Sequence, residues 1–233
     1  MLVRYGGGVL AASGSVGGQV FSRNRYGNYV RARTRPVNGQ TDRQMAARLR
    51  MSGLVELWST ALTDDQRDAW NQYGAAISMT NRLGETIKLA GFNHFIRSNS
   101  CRLLVGATVI LNAPEEATLP GADPSLAAEI DATDNKVEVS FDGSLPWVKE
   151  AGAYLLVYAT QPCSSGRNFL FKRSRYAGNV AGVASTGAQS PAEIELPWEV
   201  GENEKMDIVC RILRADGRLS SPFRCRATYP EGS

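Results

Sequence analysis

The sequence predicts an α+β chain: an N-terminal β-hairpin arm, then a short helical bundle, then an all-β sandwich. Three observations carry that expectation. Residues 14–41, GSVGGQVFSRNRYGNYVRARTRPVNGQT, mix glycines, arginines and aromatics and contain no carboxylate. Residues 41–104 carry two helix-start signals, each ahead of apolar residues at helical spacing. From residue 128 the pattern changes to period two, with turn residues between short apolar runs.

Residues 1–12 contain Gly6-Gly7-Gly8 and are expected as an extended lead. Gln19-Val20-Phe21-Ser22-Arg23 and Tyr29-Val30-Arg31-Ala32-Arg33 then flank a piece holding Tyr26-Gly27-Asn28, a plausible turn. Val20 facing Tyr29 or Val30 supplies β-branched and aromatic cross-strand partners. Along such a strand Arg31, Arg33 and Arg35 point to one side. A lone two-stranded hairpin is marginally stable in water, so this one has to pack on something else. Gly14-Ser15-Val16-Gly17-Gly18 is phosphate-loop-like only in its glycines. It lacks the Lys-Ser/Thr end, and no helix follows it. Turn formation and close backbone packing account for these glycines.

Thr41-x-x-Gln44 has capping-box spacing and predicts a helix over about 42–61. Met45, Leu49, Leu54, Leu57, Trp58 and Leu62 give it an apolar side. Thr63-x-x-Gln66 repeats the signal, with Asp64 and Asp65 well placed at the N-terminus of a second helix over about 64–78. Trp70, Tyr73 and Ile77 mark its inner side. Residues 79–85 are expected as a loop or small hairpin. A third helix over about 91–104 turns Phe92, Phe95, Ile96, Leu103 and Leu104 inward, closing a core around Trp58 and Trp70. Residues 112–127 hold three prolines and are expected as a linker. The organisation is thus an arm over 1–40, helices over 41–111, the linker, and a β-domain over 128–233.

In that last part Lys136-Val137-Glu138-Val139-Ser140-Phe141 alternates strictly. Residues 153–160, 168–173, 193–197, 206–213 and 223–228 follow as strands. Asp142-Gly143 and Asp216-Gly217 mark turns, with residues 214–218 as the tip of the last hairpin. Short strands without intervening helices suggest an immunoglobulin-like or fibronectin III-like sandwich, which has about seven strands; six are visible in the pattern.

The chain has 233 residues, 43% of them hydrophobic and 21% charged. No apolar run of about 18 residues occurs, so no membrane helix is expected. The first residues, MLVRYGGGVLAASGS, lack a long apolar stretch and a clustered basic start, so no cleaved signal peptide is expected. The net charge of +3 hides an asymmetry. Residues 1–50 hold nine Arg and one Asp, whereas the rest holds 17 basic and 22 acidic side chains. A basic end on a mildly acidic body fits a nucleic-acid partner or an acidic protein surface equally, and Arg serves both.

Sites for chemistry are sparse. Cys101, Cys163, Cys210 and Cys225 form no CxxC pair, and His94 is the one histidine that could join them. Free thiols are expected rather than zinc, although Cys210 and Cys225 could face each other on neighbouring strands. His94 is expected as a structural or surface residue. No GxSxG elbow occurs. Asp64, Asp65 and Asp68 fit helix capping before a metal site. No catalytic residue, metal or cofactor is expected, and the chain is expected not to be an enzyme.

Residues 14 to about 106 resemble a family of bacteriophage virion-associated proteins. The matching pieces are SGSVGGQVFSRNRYGNYVRARTRPVNGQTDRQ, LWSTALTDDQRDAWNQYGAA and LAGFNHFIRSNSCRLLVG, which span about 40% of the chain. The Gly-rich hairpin, the Arg-x-Arg-x-x-Pro-Val-Asn exit, the Gln44 and Arg48 helix, the Trp58 and Trp70 pair, and the helix from Gly91-Phe92-Asn93 to Asn99 occur in that order. The resemblance implies a structural subunit of the virion, such as a head decoration or a neck or tail-associated protein, assembled in the bacterial host cytoplasm. Its partners are other virion proteins, including copies of itself, and no membrane. Docking is expected through Val20, Phe21, Arg23, Arg25, Tyr26, Tyr29, Arg31, Arg33 and Arg35. The helices would anchor the chain and the sandwich would project. One alternative is nucleic-acid binding through Arg31, Arg33 and Arg35. Another is adhesion to a host surface or carbohydrate through Trp147 or Trp198 on the sandwich.

Overall fold

The computed structural model describes residues 11–24, 27–35, 37–81, 83–131, 134–167 and 173–228. Three strands come first: β1 (Gly14–Val16), β2 (Gln19–Asn24) and β3 (Gly27–Ala32), antiparallel in the order β1-β2-β3. The expected hairpin is therefore a three-stranded ribbon. Gly17 and Gly18, at φ 53° and 78°, turn the chain from β1 into β2. No atom lies within 4 Å of a Cβ built at either, so close backbone packing does not explain them.

Helices α1 (Asp42–Thr60) and α2 (Asp64–Ala76) follow, ending slightly short of expectation. The Thr41 hydroxyl accepts from Gln44 N, and Thr63 and Gln66 close a full capping box. Strands β4 (Met79–Thr80) and β5 (Thr86–Ile87) form a small ladder before α3 (Gly91–Leu104). Leu54, Leu62, Trp70, Tyr73, Ile77, Phe95 and Ile96 make the helical core. Trp70 meets Phe95 edge-on at 5.6 Å, and Trp58 lies beside Phe95 at 5.4 Å.

Two glycines let α2 touch the start of α3. A Cβ on Gly91 would sit 2.5 Å from the Trp70 carbonyl carbon, and one on Gly74 would sit 2.7 Å from Leu89 O. Two expectations for helix faces fail. Residues 42–49 are all exposed, with Leu49 at 67%, so Met45 and Leu49 do not face inward and Leu54 is the first core residue of α1. The first two turns stand clear of the other helices. On α3, Phe95 and Ile96 are buried and Phe92 and Leu103 pack on the helical core as expected, but Leu104 lies outside it and the polar His94, Ser98, Asn99 and Arg102 are buried too.

The reason for the second failure is a second contact. Strands β6 (Ala127–Asp131), β7 (Lys136–Ser140), β8 (Tyr154–Thr160), β9 (Cys163–Ser164), β10 (Ser174–Ala181), β11 (Ala192–Glu195), β12 (Glu204–Leu213) and β13 (Phe223–Thr228) form two sheets. The larger has the order β10-β8-β12-β13, with β9 also on β12, and the smaller has β11-β7-β6. Their inner faces share one core, including Ile130, Val137 and Ile194 from the smaller sheet and Leu155, Val157 and Ile208 from the larger. On the larger sheet's other side, Leu156, Leu213 and Leu219 pack with Cys101 and Val105 of α3. Arg97 Nη2 donates to Ser220 O at 2.9 Å, and Arg102 donates to Thr108 O and Ala215 O. Asn99 exchanges two hydrogen bonds with the backbone of Ile110, at 3.0 and 2.8 Å. Helix α3 is thus buried on two sides, and its Arg97, Asn99 and Arg102 are bound to backbone.

Residues 112–127 are laid along the molecule as a strap. Trp70 Nε1 donates to Leu111 O just ahead of it, Ala113 and Leu119 pack on the helical core, and buried Asp123 accepts from Ser125 N and Asp142 N. Of the expected strand 168–173, residues 168–172 lie outside the described residues, and Arg173 precedes β10. All four thiols are free. Cys210 pairs in register with Phe223, and Cys225 with Ile208, so the two cysteines are offset along their neighbouring strands.

Opposite outcomes are expected for one substitution at two helical glycines. Gly91→Ala drives a methyl into the α2 backbone and should cost about 3 kcal/mol, a fall of roughly 6–10 °C in Tm. Gly53→Ala, where no atom lies within 4 Å of the added Cβ, should stabilise by about 0.5–1 kcal/mol. Differential scanning calorimetry of the two variants checks both signs. His94 gives a pH effect. It is fully buried, its ring edge-on to Tyr73 at 5.2 Å, and neither ring nitrogen has a hydrogen-bond partner. Burial, helped by the Arg97 cation, pushes its pKa down to about 4. The unfolded chain protonates near 6.5 and so binds the extra proton between the two values. Stability is complete above about pH 6.5 and falls by about 3 kcal/mol as the pH drops towards 4. His94→Phe should flatten that slope in urea titrations taken at about pH 7 and about pH 4.5.

Candidate docking surface

The ribbon's register fixes its two faces. Val20 lies opposite Arg31 and Ser22 opposite Tyr29, so these four share one face. Phe21 opposite Val30 and Arg23 opposite Asn28 occupy the other. Arg33 N donates to Gly18 O at 2.8 Å, which carries the ladder one residue past β3. Arg31 is therefore within the strand, Arg33 at its end and Arg35 beyond it. This corrects the expectation that all three line one strand. Arg25 and Tyr26, also expected to dock, lie outside the described residues.

Val20, Phe21 and Tyr29 are half-buried, and Val30 is buried, yet none of them belongs to the three hydrophobic clusters of the body. Arg23, Arg31, Arg33 and Arg35 are exposed, and among the described residues none of them is in an ion pair. Residues 31–35 and 37–49 are exposed without a break. Within that span, Arg48 Nη2 donates to Asn38 Oδ1 at 2.7 Å and ties the connector to α1. The ribbon thus joins the body through a segment with no cover. Next to it, Val37, Met45, Leu49, Met51 and Val55 are exposed apolar side chains that sequence periodicity had assigned in part to the interior. A groove of about 370 Å³ between α1 and α3, lined by Leu49, Leu54, Leu57, Leu103 and Val109, opens beside them.

The other candidate residues fall elsewhere. Trp147 is buried and offers no ring to a sugar. Trp198 is half-buried, with the Arg175 guanidinium 4.9 Å from its ring centroid. Asp64 pairs with Arg67 in the first turn of α2. Among the described residues no group of three or more His, Cys, Asp or Glu is placed to hold a metal, and no helix is long and apolar enough to cross a membrane.

No family model matches the chain, and no curated protein matches it. Among solved structures it is weakly similar to an Fn3-like protein from Clostridium thermocellum, with 12% identity over 50% of this chain and 99% of that one, at a TM-score of 0.31. It is also weakly similar to a family 76 glycoside hydrolase from a bovine Bacteroides thetaiotaomicron strain, with 13% identity over 49% of this chain and 21% of that one, at a TM-score of 0.32. The expectation that the chain is not an enzyme does not stand once a hydrolase is among its structural neighbours. At that TM-score the likeness assigns no activity in its place.

Proposed function

We propose that this chain is a structural subunit of a bacteriophage particle, a head decoration or a neck or tail-associated protein, that docks through residues 1–40. One observation carries the reading: the ribbon shares no hydrophobic cluster with the body and joins it through exposed chain. A small sheet gains stability only when a face or an edge is covered, and an assembled particle supplies that cover. The resemblance of residues 14–106 to virion-associated proteins supports the same reading. So does the row of exposed apolar side chains on α1, which gives the helical part, residues 41–111, a face to seat on a neighbour. In this reading residues 128–233 are a fibronectin III-like module carried away from the contact. Three strands, β11-β7-β6, face the β10-β8-β12-β13 path of a five-stranded sheet, in which the short β9 also pairs β12; the two packed antiparallel sheets support such a module.

A second reading, nucleic-acid binding, draws on the unpaired arginines of the ribbon. The two part on salt and on assembly. A chain lacking residues 1–40 should unfold cooperatively at a Tm close to that of the full chain and fail to enter particles in a complementation assay. Incorporation of the shortened chain at the normal level would overturn the docking reading. Duplex binding that weakens with salt, by about 0.9 in log affinity per log salt for each phosphate contacted, and that disappears in a triple Arg31→Gln, Arg33→Gln, Arg35→Gln variant would establish the second reading instead.

A further inference from the structure

The outward face of the three-stranded sheet carries an unfavourable arrangement. Glu129 of β6 lies directly opposite Glu138 of β7, and Glu138 lies directly opposite Glu193 of β11. Ile130, Val137 and Ile194, one position along, point into the core, so the three glutamates stand in a row on the solvent side. Like charges facing each other across strands repel. Lys136 is the one cation of these strands and bonds Glu193 at 3.0 Å and Asp134 at 3.4 Å. Among the described residues, Glu129 and Glu138 are in no ion pair. Next in register, Lys136 separates Asp131 from Glu195.

The same chain carries the complement. Arg31, Arg33 and Arg35 are exposed and unpaired among the described residues, on a ribbon that none of the body's cores claims. In extended chain they recur about every 7 Å, and three adjacent strands span about 10 Å, so an arginine stretch crossing the row reaches all three carboxylates. Arg224 and Arg226, exposed on β13, already face Asp207 of their own chain, and the exposed Arg175 of β10 lies over the Trp198 ring.

We propose that the ribbon of one copy docks across the Glu129-Glu138-Glu193 row of a second copy, so that chains join head to tail. The inference rests on reading the ribbon as a docking element and names its partner. The two surfaces are different patches of one molecule, so the contact is heterologous and closes into a ring or runs on as a filament according to its rotation. Guanidinium–carboxylate forks fix the register, and the half-buried Val20 and Tyr29, on the same face as Arg31, supply apolar contact on the ribbon's side.

Sedimentation of the full chain tests the proposal. At about 50 mM salt and protein up to about 0.5 mM, the weight-average mass should rise with concentration, and at about 500 mM salt it should fall to that of the monomer. Reversing Arg31, Arg33 and Arg35 to Glu, or Glu129, Glu138 and Glu193 to Lys, should each weaken association at least about tenfold while far-ultraviolet circular dichroism and Tm stay near wild type. Mixing the two reversed variants should restore association, since each then carries the other's complement. A wild-type chain that remains monomeric at low salt overturns the proposal, as does a folded pair of variants whose mixture does not associate. Duplex DNA binding by chains that stay monomeric overturns it in favour of the nucleic-acid reading. A monomeric chain that still enters particles overturns this partner alone and leaves the docking role in the particle standing.

Discussion

The structure depends on α3 being buried from two sides. Its Phe95 and Ile96 complete the helical core, while Cys101 and Val105 meet the outer face of the larger sheet. A helix covered this way cannot keep its polar residues in water, and each buried donor left unpaired costs about 1–3 kcal/mol. For three of these residues the chain meets that demand with backbone partners: Asn99 clasps Ile110, and Arg97 and Arg102 reach carbonyls on the β12–β13 side, while His94 stays unpaired and uncharged. These bonds fix where the helices sit on the sheet. They also fix the strap that follows α3, and through Asp123 the entry into β6.

That constraint explains why the described residues before Leu54 are left out. Helix α1 reaches the core only from Leu54 onward, because α2 and α3 meet only its second half. No described residue before that point belongs to the body's three cores. None of the ribbon's described residues belongs to those cores, and a small sheet is marginal alone. Exposure of the arm and burial of α3 are two results of one packing arrangement.

Local signals were legible in the sequence. Thr63-x-x-Gln66 gave the start of α2, and the strict alternation of residues 136–141 gave β7. What failed was assignment of faces. Met45 and Leu49 have helical spacing with Leu54, but spacing cannot say how far along a helix its partners extend. Nothing in the sequence marked Asn99 and Arg102 as buried, because a polar side chain buried by a second layer leaves no mark in periodicity. Strand β10 was missed because Gly178 and a bulge at Tyr176 interrupt its pattern. The glutamate row was hidden for a related reason. Each glutamate sits at an unremarkable outward position of its own strand, and only the register of three strands brings them together.

Magnitudes assign separate tasks to the two halves of the docking surface. An exposed ion pair contributes about 0–1 kcal/mol, so three arginines on three glutamates supply at most about 3 kcal/mol. A micromolar complex needs about 8 kcal/mol. In the proposed contact charge therefore selects the partner and sets the register, as it does at other charged interfaces, and affinity has to come from apolar cover over the ribbon and the exposed side of α1. Because ribbon and α1 are joined by an exposed connector, seating one raises the effective concentration of the other at the same neighbour. Two weak contacts on one chain then act as a single stronger one only where a neighbour presents both surfaces at the right spacing. An ordered array meets that condition at every position, so docking as proposed would favour the assembled state over a pair in solution.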